Sequence, residues 1–224
     1  MRNRKAFLAG LSLVGVTALL LAGGLMASNM GFKLNFPLVG SNDSASISGT
    51  NYMGMPYNQQ VGINNARDLF LDIGGVQSIS QHRKFDDLFE FYTASNTSIP
   101  PNGFAINAAE GYIVKLPDNT PYVVVGSHDP GLTVALVGAA DPGSISGTNY
   151  YTHPYHGVAA NAKDLFLEMG AGIQSLSQHR KFDDLFEFYT ASNSSIPPNG
   201  FLLSPGEAYI VKASSNVPFT PNHY

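Results

Sequence analysis

A stretch of 27 residues occurs twice in this chain, and it constrains the fold more strongly than any other feature of the sequence. Residues 77–103 return at residues 174–200 with two exchanges, Ile79 for Leu176 and Thr97 for Ser194. Two complete active sites in tandem would be unusual, whereas a repeated structural unit needs the same framework in each copy. The repeat therefore indicates a building block that the chain uses twice.

The similarity extends beyond this stretch to almost the whole of both halves. The sequences LVG, SISGTNY, DLFL and E-x-Y-I-V-K recur in the same order, at a spacing near 97 residues. Small shifts in the spacing fall in loops, as expected for a folded unit. We therefore divide the 224 residues into a first module at 29–127 and a second at 128–224, after an N-terminal segment at 1–28. The modules are either beads on a string or a pair about a pseudo-twofold axis.

Composition favours short strands joined by turns. Charged residues make up 12% of the chain, which contains 23 Gly and 14 Pro, so a helical bundle is disfavoured. We expect a mainly β fold with one short helix per repeat, in β-sandwich-like or small barrel-like modules.

The helix of the first module is predicted at NNARDLFLDIGG. Its apolar residues recur at intervals of three and four, which places them on one helix face. Asn64 or Asn65 can cap its start and Gly74 its end. In the second module, Asn161 and Gly170 take these positions.

Residues 85–93 allow two interpretations. The aromatic residues of LFEFYTA favour a strand that pairs with VQSISQH across the turn RKFDD. The spacing of Phe85, Leu88, Phe89 and Tyr92 also fits a helix face. We favour the hairpin, and we further expect FAIN and YIVKL to form a hairpin and YVVVG to add a strand.

The N-terminus is predicted to carry an export signal. Arg2, Arg4 and Lys5 precede an uncharged apolar run at residues 6–27 that ends in small residues, which is typical of a secretory signal peptide. Cleavage is predicted after Gly24, Ala27 or Ser28, and the alternative is an uncleaved membrane anchor, since the run is long enough to span a bilayer.

Charge and cysteine content exclude two classes of protein. The formal net charge is −4, and it becomes more negative once a basic signal segment is removed, which argues against a nucleic-acid partner. An exported chain without Cys has no disulfides, so each module depends on its apolar core, its partner module or an assembly.

The order of these motifs resembles a known type of module. A GTNY…PY strand, an A-x-D-L helix, a QSIS strand, an aromatic strand, NGF and a G-x-x-Y-x-V hairpin follow one another. This is similar to the small β-rich repeat module of exported bacterial surface proteins. Ile follows Tyr112 and Tyr209 where that module often has Trp or Phe, and Ala208 replaces a usual glycine. The resemblance implies an accessory part of a surface or secreted protein without catalysis.

The sequence QHRKFDD is the strongest candidate for chemistry. An enzyme would use His82 with Asp86, and His179 with Asp183, as acid–base pairs. No G-x-S-x-G motif or Cys accompanies them, so we favour a polar hairpin turn and expect no enzyme.

Two metal sites can be considered, and neither is favoured. His153 and His156 have H-x-x-H spacing, but Met55 and Asn58 occupy these positions in the first module, so a zinc site has no support from the repeat. Acidic turn residues can offer oxygen ligands to Ca²⁺ without EF-hand spacing. We expect no cofactor and keep Ca²⁺ as an alternative, with the candidate ligands Asp86, Asp87, Asp183 and Asp184.

Aromatic residues are the candidates for ligand binding, because they can stack on a sugar. Phe89 and Phe91 accompany the tyrosines in the first module. Aromatic residues of strands are more often half core and half cross-strand pairs. The tyrosines proposed to contact a glycan or another ligand are Tyr52, Tyr57, Tyr92, Tyr150, Tyr155 and Tyr189.

One asymmetry suggests self-association. In the first module, Val123–Val125 follow the pair Pro121 and Tyr122. In the second module, only TPNHY follows the equivalent pair, which ends at Phe219. A β-prone arm containing Phe32, Leu34 and Phe36 could complete this edge in a neighbouring molecule. The sequence thus predicts an exported, non-enzymatic structural or adhesive surface protein that associates with itself; the alternative is a secreted glycan- or ligand-binding protein.

Overall fold

The computed structural model describes residues 31–55, 58–59, 62–95, 101–127, 129, 131–192 and 198–222. The predicted signal segment and Tyr57 lie outside these residues. The chain is mainly β, with its sheets in two similar halves, as the composition predicts.

The first half contains two antiparallel sheets. A four-stranded sheet has the order β2-β6-β4-β5, and a three-stranded sheet has the order β1-β7-β3. The strands are β1 (Gly31–Leu38), β2 (Thr50–Gly54), β3 (Asn58–Gln59), β4 (Ser78–His82), β5 (Phe89–Tyr92), β6 (Gly111–Lys115) and β7 (Thr120–Ser127), with helix α1 (Ala66–Ile73) between β3 and β4.

The second half repeats this arrangement with a smaller second sheet. Its four-stranded sheet has the order β9-β12-β10-β11, and β13 and β8 form a two-stranded sheet. The strands are β8 (Val134–Leu136), β9 (Thr148–Thr152), β10 (Ile173–Arg180), β11 (Leu185–Thr190), β12 (Ala208–Ala213) and β13 (Val217–Phe219), with helix α2 (Ala162–Met169) between β9 and β10.

Both helices begin and end as the sequence predicts. The side chain of Asn65 accepts a hydrogen bond from the backbone N–H of Asp68, and Asn161 does the same for Asp164. Gly74 follows α1 with a positive φ of 71°, a backbone conformation that favours glycine. Each helix buries an alanine, a leucine and a third apolar residue against the strands of its own half.

The hairpin interpretation of residues 85–93 is confirmed. Strand β5 pairs with β4 from His82↔Phe89 to Ile79↔Tyr92, and β11 pairs with β10 in the same way. The strand predicted for FAIN is wrong, because Ala105 makes only an isolated bridge to Asn65. The backbone of this segment instead bonds to the residues that precede α1.

A buried asparagine explains why LVG and GTNY recur together. The amide of Asn51 accepts from the backbone of Val39 at 2.9 Å and donates to the carbonyl oxygens of Val39 and Gly49. Asn149 makes the same three bonds in the second half. Because buried polar groups must be paired, this asparagine joins the end of the first strand to the second in each module.

Each half has its own apolar core. One cluster centres on Leu69, Ile79 and Tyr112 and the other on Leu165, Leu176 and Tyr209. Ala109 of the first half belongs to the second cluster, so the two cores touch at the module boundary.

The N-terminal arm lies on its own module. Strand β1 pairs with β7 along its full length, from Gly31↔Ser127 to Leu38↔Thr120. Leu34 and Phe36 pack on the first core, as does Phe32, while Phe219 is buried in the second. Exchange of the arm between molecules stays a prediction, and it would require β1 to leave β7.

None of the helices in the described residues has the length and apolar character needed to cross a membrane.

Candidate binding surface at the module boundary

The duplicated loops hold the two modules together through contacts that occur in reciprocal pairs. The hydroxyl of Ser48 donates to Asp184 at 2.8 Å, and the hydroxyl of Ser146 donates to Asp87 at 2.7 Å. The modules are therefore paired about a pseudo-twofold axis. We call this contact the clasp; it consists of Ser48, Tyr52, His82 and Asp87 with their counterparts Ser146, Tyr150, His179 and Asp184.

Each histidine of the clasp pairs with a carboxylate one residue beyond the predicted one. The Nε2 atom of His82 lies 3.2 Å from Asp87, and that of His179 lies 3.2 Å from Asp184. Asp86 instead pairs with Arg83. The acid–base pairing with Asp86 and Asp183 is therefore wrong. It fails because the turn places the second aspartate at a φ of 55°, which directs the chain so that this carboxylate meets the histidine.

Burial controls the protonation of these histidines. Loss of solvation lowers the pKa of His82 and of His179, against the opposing effect of the neighbouring Asp87 and Asp184 carboxylates. The rings are therefore neutral at pH 7. The Nε2 proton then points to the aspartate, and Nδ1 of both rings has no hydrogen-bond partner in the described residues.

Stability should fall as the pH drops below the pKa of an unfolded histidine. Burial lowers the pKa of His153 to about 4. The stability that depends on this ring being neutral is therefore fully present above about pH 6.5 and is lost as the pH falls towards about 4. We expect His153→Met, which introduces the residue that the first module has at Met55, to remove up to about 3 kcal/mol of this pH dependence. Urea unfolding at several pH values measures it. An unchanged slope in His153→Met would contradict the assignment, and a variant with His82→Gln and His179→Gln should retain the contribution of His153.

Six aromatic rings form a continuous row across the module boundary, which we call the aromatic ribbon. Phe91 contacts Phe89, and Phe186 contacts Phe188, each with ring centres 6.3 Å apart. The two halves meet where Tyr150 stacks on Tyr52 at 5.9 Å. In order along the row, the rings are Phe91, Phe89, Tyr150, Tyr52, Phe186 and Phe188.

The histidines of the clasp lie on the tyrosines of the ribbon. His82 stacks on Tyr150 at 5.0 Å, and His179 stacks on Tyr52 at 4.4 Å. Burial raises the pKa of both tyrosines. The centre of the ribbon is therefore a neutral, partly desolvated contact between modules, which is made by stacked rings.

The ends of the ribbon are open to solvent. Phe91 and Phe188 are each 51% exposed. They lie on β5 and β11, the terminal strands of the two four-stranded sheets, and no further described strand pairs with either. Their neighbours in the same hairpins are also exposed large apolar residues, namely Phe85, Leu88, Phe182 and Leu185.

The tyrosines that the sequence proposed as sugar-stacking residues have different positions. Tyr52 and Tyr150 lie at the centre of the ribbon. Tyr92 and Tyr189 are buried in the two cores, against Phe70 and Phe166. Tyr155 stacks on Phe32 and packs against the first core. Among the five described members of this set, the structure brings together one pair, Tyr52 and Tyr150.

The four proposed calcium ligands bind protein groups. Asp86 and Asp183 pair with Arg83 and Arg180, while Asp87 and Asp184 belong to the clasp. Over the part of the chain that is described, no three His, Cys, Asp or Glu side chains come together as a possible metal site.

Sequence reasoning missed Ser48 and Ser146 as functional residues of the clasp. A signal was present, because SISGTNY is identical in both copies although Ile47 and Ile145 are exposed. An exact repeat of small polar residues in an exposed turn indicates a contact that each copy makes.

Comparison with protein-family models, with curated proteins and with solved structures finds no match for this chain.

Proposed function

We propose that this is an exported, non-enzymatic structural protein of a surface, which associates with further copies of itself through β5 and β11. The observation that carries the proposal is the pair of terminal strands, β5 and β11, whose outer edges pair with no described strand and which hold Phe91 and Phe188 half exposed. An unpaired edge next to exposed apolar residues is a template for strand addition.

A second molecule of this chain is favoured as the partner of β5 and β11, because the ribbon is continuous with the interface between the modules. Inside one molecule, Phe89 and Phe186 already pack against the tyrosine of the opposite module. A second molecule that pairs its own β5 or β11 with these edges would extend the same row of rings. Since each molecule carries two such edges, contacts of this kind can propagate into a linear assembly.

A role without catalysis is supported by what the polar side chains of the clasp bind. The histidines and aspartates that resemble acid–base pairs bind serines and tyrosines of the opposite module. They therefore hold the modules together. Export is supported by the basic and apolar residues at the start of the sequence.

Removal of the exposed rings should reduce the assembly. We expect Phe91→Ser with Phe188→Ser to lower the mass of the associated protein to that of a monomer, because the apolar ends of the ribbon are lost. The matched control is Leu71→Ser with Leu167→Ser. It removes two apolar residues that are also exposed, at 65% and 66%, but that lie on the two helices.

Light scattering over a range of protein concentrations and electron microscopy measure the outcome. The proposal requires that the wild-type protein and the helix variant associate while the ribbon variant does not. A wild-type protein that stays monomeric at every concentration would refute it, as would equal loss of assembly in both variants.

A further inference from the structure

A cleft of about 360 Å³ lies between the modules, beside the clasp. One wall comes from β1 and β2 of the first module, with Leu34, Phe36 and Met53. The other comes from the end of β10 and the turn before β12, with Lys181 and Glu207. This volume is in the range of small-molecule sites, which often lie between domains.

Three polar groups of the cleft keep unused hydrogen-bonding capacity. Lys181 donates to the carbonyl oxygen of Pro37 at 3.3 Å, which uses one of its three donors. Glu207 accepts from Gln178 and Tyr209 through Oε2, and no donor among the described residues reaches Oε1. His179, which has a side chain only 4% exposed, has no partner for Nδ1 in the described chain.

The equivalent carboxylate in the first module, Glu110, is paired with protein groups. Lys84 lies 2.9 Å from Oε1 of Glu110, and Asn107 donates to Oε2 at 2.9 Å. Both carboxylate oxygens therefore bind protein groups. The difference is encoded in the sequence, because Ser204 stands where the first module has Asn107, and the structure shows no bond from its shorter side chain to Glu207 within the described residues.

The chemistry of the open cleft selects a neutral ligand rich in hydroxyl groups. An anion would meet the carboxylate of Glu207, and a cation would meet the ammonium of Lys181, so a single charge of either sign is disfavoured. Hydroxyls can donate to Glu207 and accept from Lys181. The C–H face of a sugar ring can pack on Leu34 and Phe36, which gives the mixture of apolar walls and few polar groups that small-ligand sites show.

We propose that this cleft binds one saccharide unit, with Lys181 and Glu207 as its hydrogen-bonding residues. The clasp tyrosines need not stack on the sugar, since Tyr52 already stacks on Tyr150 and His179. The site is separate from the open edges of β5 and β11, so saccharide binding and self-association can be lost independently.

The test uses the full-length protein and saturation-transfer NMR with named probes: D-glucose, D-galactose, D-mannose and N-acetyl-D-glucosamine. At least one should bind at or below about 10 mM. Lys181→Ala should weaken that binding tenfold or more, whereas Lys84→Ala, the matched change beside the paired carboxylate of Glu110, should leave it within twofold. Ser204→Asn, which introduces the first module's residue, should weaken binding while the fold is kept, because a larger side chain enters the cleft lining and its amide can donate to Glu207.

Each outcome decides the proposal. Absence of binding for all four sugars overturns it, as does equal weakening by Lys84→Ala and Lys181→Ala. Binding of acetate or L-alanine in the cleft with no sugar bound also overturns it, because a charged or zwitterionic ligand would then be the occupant. If Lys181→Ala lowers stability, Ser204→Asn tests the same cleft with a side chain that the first module already contains at the equivalent position, Asn107.

Discussion

Replacement of Tyr150 by Ala is expected to destabilise the protein by about 3–5 kcal/mol, the range for removal of a large buried ring. Tyr150 is 9% exposed and contacts Tyr52, His82 and Phe89 at 5.0–5.9 Å. Its loss removes the central step of the ribbon and one of the two histidine stacks of the clasp. Urea denaturation at pH 7 measures the change in the free energy of unfolding.

Tyr150→Phe is the matched control. It keeps the ring and removes only the partly buried hydroxyl beside Tyr52, so the expected cost is about 1 kcal/mol. A loss below 1 kcal/mol for Tyr150→Ala would show that the modules do not depend on the ribbon for their contact. It would also remove the basis for extending the ribbon to a second molecule.

A single added methyl group at Gly54 is expected to separate the modules. A Cβ atom at this position would overlap the carbonyl oxygen of Glu110 and the hydroxyl of Thr152, and the backbone N–H of Gly54 donates to Gly206 at 3.0 Å across the boundary. Because neither side can move without breaking the contact, we expect Gly54→Ala to cost about 3 kcal/mol. Thermal unfolding and urea unfolding both measure it.

Gly131→Ala serves as the control for this change. The nearest atom to its added Cβ is Oδ1 of Asp129 at 3.5 Å, an ordinary van der Waals contact. It should change the free energy of unfolding by less than about 0.5 kcal/mol. If Gly54→Ala is as well tolerated as Gly131→Ala, the close approach of the two modules at Gly54 is wrong.

Several elements could be predicted because their signals are local. The helix at Ala66–Ile73 is marked by a capping asparagine, a following glycine and a spacing of three and four. The hairpin at Ser78–Tyr92 is marked by β-prone residues on both sides of a polar turn. The strand expected at FAIN did not form, because the backbone N–H of Ile106 donates at 3.0 Å to the carbonyl oxygen of Asn64, which lies 42 residues earlier in the chain.

The candidate sites were only partly predictable. The sequence singled out the QHRKFDD turn and the tyrosines at positions 52 and 150, but it could not show that they meet. Ser48 and Asp184 are 136 residues apart, and their contact depends on how one folded module lies on the other. The choice between Asp86 and Asp87 as partner of His82 likewise depends on the φ of one turn residue.

By itself, the sequence determined that the chain is mainly β, that it contains one unit twice, and where each short helix begins and ends. These properties follow from periodicity, caps and turn residues, which act over a few positions. Only the tertiary structure decided that the repeated loops form the clasp, that the aromatic ribbon crosses it, and that Glu110 pairs with Lys84 while Glu207 does not pair with Lys181 in the described residues. The physical reason is that these contacts join surfaces formed by distant segments, and their geometry exists only once both cores have packed.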